Sequence, residues 1–199
     1  MYELIEFPEP DSLFYLLSLI APMAPSLQYL FQEYLVEQRF SKKHQLLRAG
    51  QVCRRIYFIK EGLARAYYFD ANANEHTSWF LGKGDLMVSL HSFLNQVPGQ
   101  EYIELLADSI VQSVTWNQLQ HIYTEHPEFN LNGRILTEKY YLMAEERLMM
   151  LRYKKPRERY QHLLRTHPDI LQKASLTHIA SYLGITLETL SRVRSERTR

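Results

Sequence analysis

The rhythm of apolar and polar positions changes twice along the chain. Residues 11–38 carry Leu27, Leu30, Phe31, Tyr34 and Leu35 at three- and four-residue spacing. That spacing puts them on one face of a helix and predicts two amphipathic helices around a turn containing Pro22 and Pro25. From about residue 44 the apolar runs shorten. Ile56–Ile59, Leu63–Phe69, Thr77–Leu81, Tyr102–Leu106 and Ile110–Val114 read as strands, separated by Glu61-Gly62, Asp70–Asn74 and Gly82–Asp85 turns. Short strands at this spacing predict an antiparallel sandwich or roll.

Helical texture returns at Thr115-Trp116-Asn117-Gln118. A Thr followed three residues later by Gln has the form of a capping box, predicting a helix that ends before Pro127. A longer helix follows from Glu128 to Tyr153 and is broken by Pro156. Its stripe of Leu131, Ile135, Leu142, Leu148 and Met149 is interrupted by Glu138 and Glu145. Taken alone, the stripe is expected to pack on its own chain rather than on a twin. Helices near 157–166, 176–183 and 187–197 complete the chain. The fold class is α+β, divided at 1–126, 127–155 and 156–199.

The chain has 199 residues, 46% hydrophobic and 23% charged, with one cysteine, Cys53. This is the composition of a globular protein, and it excludes a disulfide scaffold or a multi-cysteine metal site. The lone thiol fits a reducing cytoplasm, and Cys53 reads as an inert residue in a turn. Eight histidines are scattered without a metal-ligand pattern, so no metal is expected. Ser12 to Gln32 carries no charge, but its clean apolar core, Leu13 to Ile20, is far short of the ~20 residues a bilayer needs. No membrane partner is expected. Nor does any Ser/His/Asp, paired-carboxylate or phosphate-loop arrangement point to an enzyme.

Charge is unevenly spread. Residues 1–138 hold 10 Lys and Arg against 16 Asp and Glu, whereas residues 139–199 hold 13 against 6, leaving the whole at +1. A basic third on an acidic body is the footprint of a nucleic-acid-binding end.

Within that end, Ser175 to Arg194 carries the chemistry. Ile179, Ala180 and Leu183 face inward on one short helix. Gly184 suits a left-handed turn between crossed helices, and Thr186 can cap the next helix. That helix exposes Glu188, Ser191, Arg192 and Arg194. Arginine can contact guanine O6/N7 in bidentate fashion, and a carboxylate can accept from cytosine N4. The plainer alternative is a surface pair of Glu188 with Arg192, worth about 0.3–0.5 kcal/mol.

The stretch Ile179-Ala-Ser-Tyr-Leu-Gly-Ile-Thr-Leu-Glu-Thr-Leu-Ser-Arg closely resembles the recognition motif of the Crp/Fnr transcription regulators, in its E-x-x-S-R form. Upstream, Tyr57-Phe58-Ile59-Lys60-Glu61-Gly62-Leu63-Ala64-Arg65 resembles the Y-x-I-x-x-G-x-x-R strand–turn–strand of the cyclic-nucleotide-binding β-roll. Gly82-Lys83-Gly84-Asp85 resembles its G-D turn. The resemblance covers about residues 25–197.

It implies a jelly-roll sensor over 1–126 with flanking helices, a dimerisation helix over 127–155, and a C-terminal all-α helix-turn-helix over 156–199. It also reverses the expectation for the 128–153 stripe, which becomes a homodimer seam. The implied partners are double-stranded DNA with palindromic, TTGA-like half-sites, a second copy of the chain, and RNA polymerase. Glu188, Ser191 and Arg192 would read bases, while Thr186, Arg194, Arg197 and Arg199 would hold phosphates.

The chain departs from the family in three places. Where cyclic-AMP-binding members carry G-E-L and a downstream R-S or R-T, it has Val88-Ser89-Leu90 and Glu101-Tyr102. A glutamate near the phosphate position repels an anion, so cyclic AMP is not expected and no cofactor is implied. The pocket is expected to be filled; if a cavity survives, Arg65, Ser89, His91, Ser92, Glu101 and Tyr102 are its candidate lining. The cysteine cluster of oxygen-sensing members is missing. The sequence also stops at Arg199 without the family's β-hairpin wing, implying a short, wingless form. The rival reading is a degenerate dimeric module that binds a protein or small ligand without specific DNA output.

Overall fold

The computed structural model describes residues 12–195. Helices α1 (Leu13–Ile20) and α2 (Pro25–Tyr34) lead into strands β1 (Val36–Phe40), β2 (Gln45–Leu47), β3 (Arg55–Glu61), β4 (Leu63–Phe69), β5 (Glu75–Gly82) and β6 (Leu86–Met87). Helix α3 (Leu90–Asn95), strands β7 (Tyr102–Leu105) and β8 (Ser109–Thr115) and helix α4 (Trp116–Glu125) follow. After a tight helical turn at Pro127–Phe129 come α5 (Asn130–Tyr153), α6 (Pro156–Thr166), α7 (Ile170–Lys173), α8 (Leu176–Leu183) and α9 (Leu187–Ser195).

The strands form two antiparallel four-stranded sheets, ordered β1-β8-β3-β6 and β2-β7-β4-β5. Alternation along each strand divides the molecule into layers. Ile59, Ala64, Ala66, Leu81, Ile103 and Val111 point between the sheets. Phe58 and Val114 point the other way, beneath Leu17, Leu27, Phe31 and Ile122 of α1, α2 and α4. Leu63 and Phe80, on the outer face of the second sheet, pack with Tyr160, Leu163, Ile170, Ile179 and Leu190 of the C-terminal helices. The β-roll is therefore sandwiched between two helical layers.

Local signals explain the element ends. The Thr115 hydroxyl accepts from the Gln118 N–H at 3.2 Å, and the Gln118 side chain accepts from the Thr115 N–H at 2.9 Å. This is the expected capping box. Pro156 opens α6 instead of merely ending α5, because its missing N–H is free at a first helical position.

Five elements differ from expectation. Residues 36–38 are strand rather than helix, because Val36–Phe40 pairs with Ser109–Ser113. Strands β2 and β6 and helix α7 were not expected; each is two to four residues long, too short for a period to show. The long helix starts at Asn130, after the Pro127–Phe129 turn.

Helix α5 is held to its own chain along one side. The Asn132 amide donates to the Leu17 carbonyl at 2.7 Å, and the Tyr140 hydroxyl accepts from the Leu86 N–H at 2.6 Å. Leu131, Leu148 and Met149 of the apolar stripe are 41%, 50% and 51% exposed, so the chain itself leaves them uncovered. Among the described residues no helix is long and apolar enough to cross a membrane.

Candidate nucleic-acid interface and effector pocket

The C-terminal unit is built around two crossed helices. The Ser175 hydroxyl caps α8 by accepting from the His178 N–H at 3.1 Å. Ile179, Ala180, Tyr182 and Leu183 are buried. Gly184 closes α8 at φ 63°, a left-handed conformation that costs a residue with a Cβ. The next N–H groups return to the helix, Gly184 to Ser181 and Ile185 to Ala180. The Arg159 guanidinium of α6 donates to the Leu183 carbonyl, a favourable site for a cation at a helix C-terminus.

Thr186 then opens α9, its hydroxyl accepting from the Thr189 N–H at 3.2 Å. Leu190 and Val193 anchor the inner face of α9, while Leu187, Glu188, Ser191 and Arg192 are exposed on the outer face and Arg194 is half-buried. All the residues proposed to read bases therefore share one solvent-facing side. Arg197 and Arg199, and the end of the expected 187–197 helix, lie outside the described residues.

The candidate pocket residues separate into two groups. Ser89 and Ser92 are buried at the start of α3. The Ser89 hydroxyl donates to Glu101 at 2.6 Å, and the Ser78 hydroxyl reaches the other carboxylate oxygen at 3.4 Å. Ser92 accepts from the Cys53 N–H at 2.9 Å and donates to the Val97 carbonyl at 2.5 Å. The intervening loop lies hard against α3: a Cβ added at Gly99 would meet the Ser92 Cβ at 3.0 Å and the Ser89 Oγ at 3.4 Å. Burial pushes the Cys53 thiol up, as expected of an inert cysteine. His91 is exposed and turned outward into solvent.

Arg65 and Tyr102 are elsewhere. Arg65 alternates with the inward-facing Ala64 and Ala66, so it points to the outer face of its sheet. There it is 1% exposed, with Nη2 2.6 Å from Glu104, Nη1 2.5 Å from Glu75 and the guanidinium 4.0 Å from the Tyr67 ring centre. Tyr102 stacks on Tyr67 at 5.0 Å on the same face. Two carboxylates already balance this arginine, and the sheet separates it from Ser89 and Glu101.

Sequence reading missed the junction between the β-roll and the C-terminal unit. The Ser181 hydroxyl of α8 accepts from the Thr77 N–H at 2.8 Å and donates to the Glu75 carbonyl at 2.9 Å. Arg147 of α5 donates to the Tyr182 carbonyl at 2.9 Å and stacks 3.7 Å from the Tyr182 ring. The His167 ring bonds the Phe80 carbonyl at 3.0 Å. His178 lies 3.6 Å from Glu75, and burial, reinforced by the Arg65 charge, lowers its pKa. No residue pattern marked these groups, because the contacts span 35 to 106 residues of sequence.

Comparison with known proteins gives the same picture. Residues 37–126 match the cyclic nucleotide-binding domain family. No curated protein matches the chain by sequence. Among solved structures, FixK2 from Bradyrhizobium japonicum is 20% identical, with TM-score 0.69 over 81% of this chain and 83% of that one. A protein from Eubacterium rectale assigned to the Crp/Fnr regulators is 17% identical, with TM-score 0.67 over 86% and 82%. The catabolite activator protein of Thermus thermophilus is 20% identical, with TM-score 0.55 over 89% and 85%. Residues 37–126 thus resemble a cyclic nucleotide-binding domain, and the chain as a whole shares the fold of the Crp/Fnr regulators.

Proposed function

We propose that this protein is a sequence-specific DNA-binding regulator that acts as a homodimer and does not respond to cyclic AMP. The observation that carries the reading is the outer face of α9. Glu188, Ser191 and Arg192 project together from a helix whose other side is anchored by Leu190 and Val193. The first turn of such a helix enters the major groove, where Glu188 also gains from the helix dipole. Arg192, one turn on, has the reach for guanine, and Ser191 beside it can bond a base edge. Thr186, Arg194, Arg197 and Arg199 are assigned to phosphates, which position a protein without specifying sequence.

A dimer is needed to present two reading helices to half-sites about 34 Å apart. The uncovered Leu131, Leu148 and Met149 of α5 supply an apolar seam for it. The family resemblance calls for a phosphate-binding cation near the position of Glu101, which is bonded by Ser89 and Ser78 instead. Arg65 cannot supply that cation from the other face of the sheet.

The test separates base reading from phosphate holding. Arg192→Ala is expected to cost about 1–3 kcal/mol on the preferred site and to flatten discrimination at one base pair. Arg194→Ala is expected to weaken all sequences alike and to lower the salt slope by about one. Equal loss on specific and random DNA for Arg192→Ala would make Arg192 a phosphate clamp and contradict the base-reading assignment.

A further inference from the structure

We propose that Ser181 is a positioning residue for DNA reading: its hydroxyl seats the helix-turn-helix on the edge of strand β5 and thereby fixes the half-site spacing that a dimer accepts. The proposal rests on the reading above, in which α9 contacts bases.

Strand β5 is outermost in its sheet, so one of its edges presents backbone N–H and C=O groups with no strand partner. Thr77 and Glu75 are two residues apart, so their outward groups fall on the same edge. Ser181 engages both, accepting from the Thr77 N–H at 2.8 Å and donating to the Glu75 carbonyl at 2.9 Å. One side chain of α8 thus does for β5 what a residue of a neighbouring strand would do. A serine inside a helix commonly turns back to a carbonyl of its own preceding turn; this one is turned out to the sheet.

Apart from the His167 bond to the Phe80 carbonyl and the Arg147 tie, the rest of the junction is less directional. Leu63 and Phe80 meet Ile170, Ile179 and Leu183 through apolar contact, which holds two surfaces together without fixing their angle. Hydrogen bonds do fix it, since they weaken steeply away from linearity. Arg147 adds a second tie, with its guanidinium on the Tyr182 carbonyl at 2.9 Å and near the Thr77 carbonyl at 3.4 Å. Because α5 is also the proposed dimer seam, the angle of α8 on β5 and α5 carries over to the distance between the two α9 helices.

The test uses the full chain and Ser181→Ala. Alanine is the better helix former, so α8 itself is not weakened. Duplexes carry the selected half-sites at the selected spacing, or with one base pair added or removed at the centre. Half-sites shifted in this way are rotated by roughly 36° about the helix axis. The unmodified protein is expected to prefer the selected spacing by about tenfold, and Ser181→Ala to reduce that preference to about threefold or less, with base discrimination within each half-site unchanged. In native-state hydrogen exchange, Ser181→Ala should speed exchange of the Thr77 amide, whereas Arg192→Ala should not.

Spacing preference retained in full by Ser181→Ala, or an unchanged Thr77 amide, overturns the proposal while leaving DNA reading intact. An unmodified protein that prefers no duplex overturns both, and is recognised before any variant is compared.

Discussion

Arg65 shows how one residue can mislead when its partners are distant in sequence. The Y-x-I-x-x-G-x-x-R run that holds it resembles a strand of the cyclic-nucleotide-binding roll. Which face it uses depends on alternation with Ala64 and Ala66 and on Glu75 and Glu104, which no local pattern names. Ser89 and Glu101 were legible as a departure from a phosphate site, and the structure adds that they bond each other at 2.6 Å. Desolvating an anion beside that carboxylate is unfavourable. Calorimetric titration with cyclic AMP is expected to give no measurable heat at physiological concentrations; a micromolar affinity would contradict the account.

At the scale of elements, the strong periods and caps were readable and the short pieces were not. The Thr115–Gln118 box, the Gly184 turn and the Thr186 cap depend on neighbours within four residues, and all three stand in the structure. Strand β1 was not legible because its pairing with β8 is decided 69 to 77 residues away and its residues are mostly exposed.

The C-terminal unit also carries a pH dependence. Burial lowers the pKa of His162, His167 and His178. A base whose folded pKa is depressed binds fewer protons folded than unfolded. Stability is therefore present above the ordinary imidazole value of about 6.5 and is lost as pH falls below it. Asp85, whose carboxyl burial pushes up, works in the opposite direction, one group against three. Thermal stability should fall between pH 7.5 and 5.5, and His167→Gln should flatten part of that slope. A stability that rises on acidification across this range would show the assignment of sign to be wrong.

The whole molecule places an acidic β-roll between two helical layers and leaves one helix seam uncovered. Charge asymmetry pointed to the basic end from sequence, but the residues alone favoured self-packing of α5. The exposure of Leu131, Leu148 and Met149 now favours a second copy. Light scattering at tens of micromolar should report a dimer, and Leu148→Glu should shift it toward monomer by placing a charge in the seam. A monomeric unmodified protein at that concentration would remove the two-fold geometry on which paired half-sites depend.

The central claim is sequence-specific DNA reading by α9, and selection from random duplex DNA by the purified full chain tests it most directly. The account predicts enrichment of a palindrome with TTGA-like half-sites about one helical turn apart, roughly 10 base pairs, and binding that weakens steeply with salt. Recovery of unrelated sequences with no shared half-site, at any salt concentration that permits binding, would contradict it.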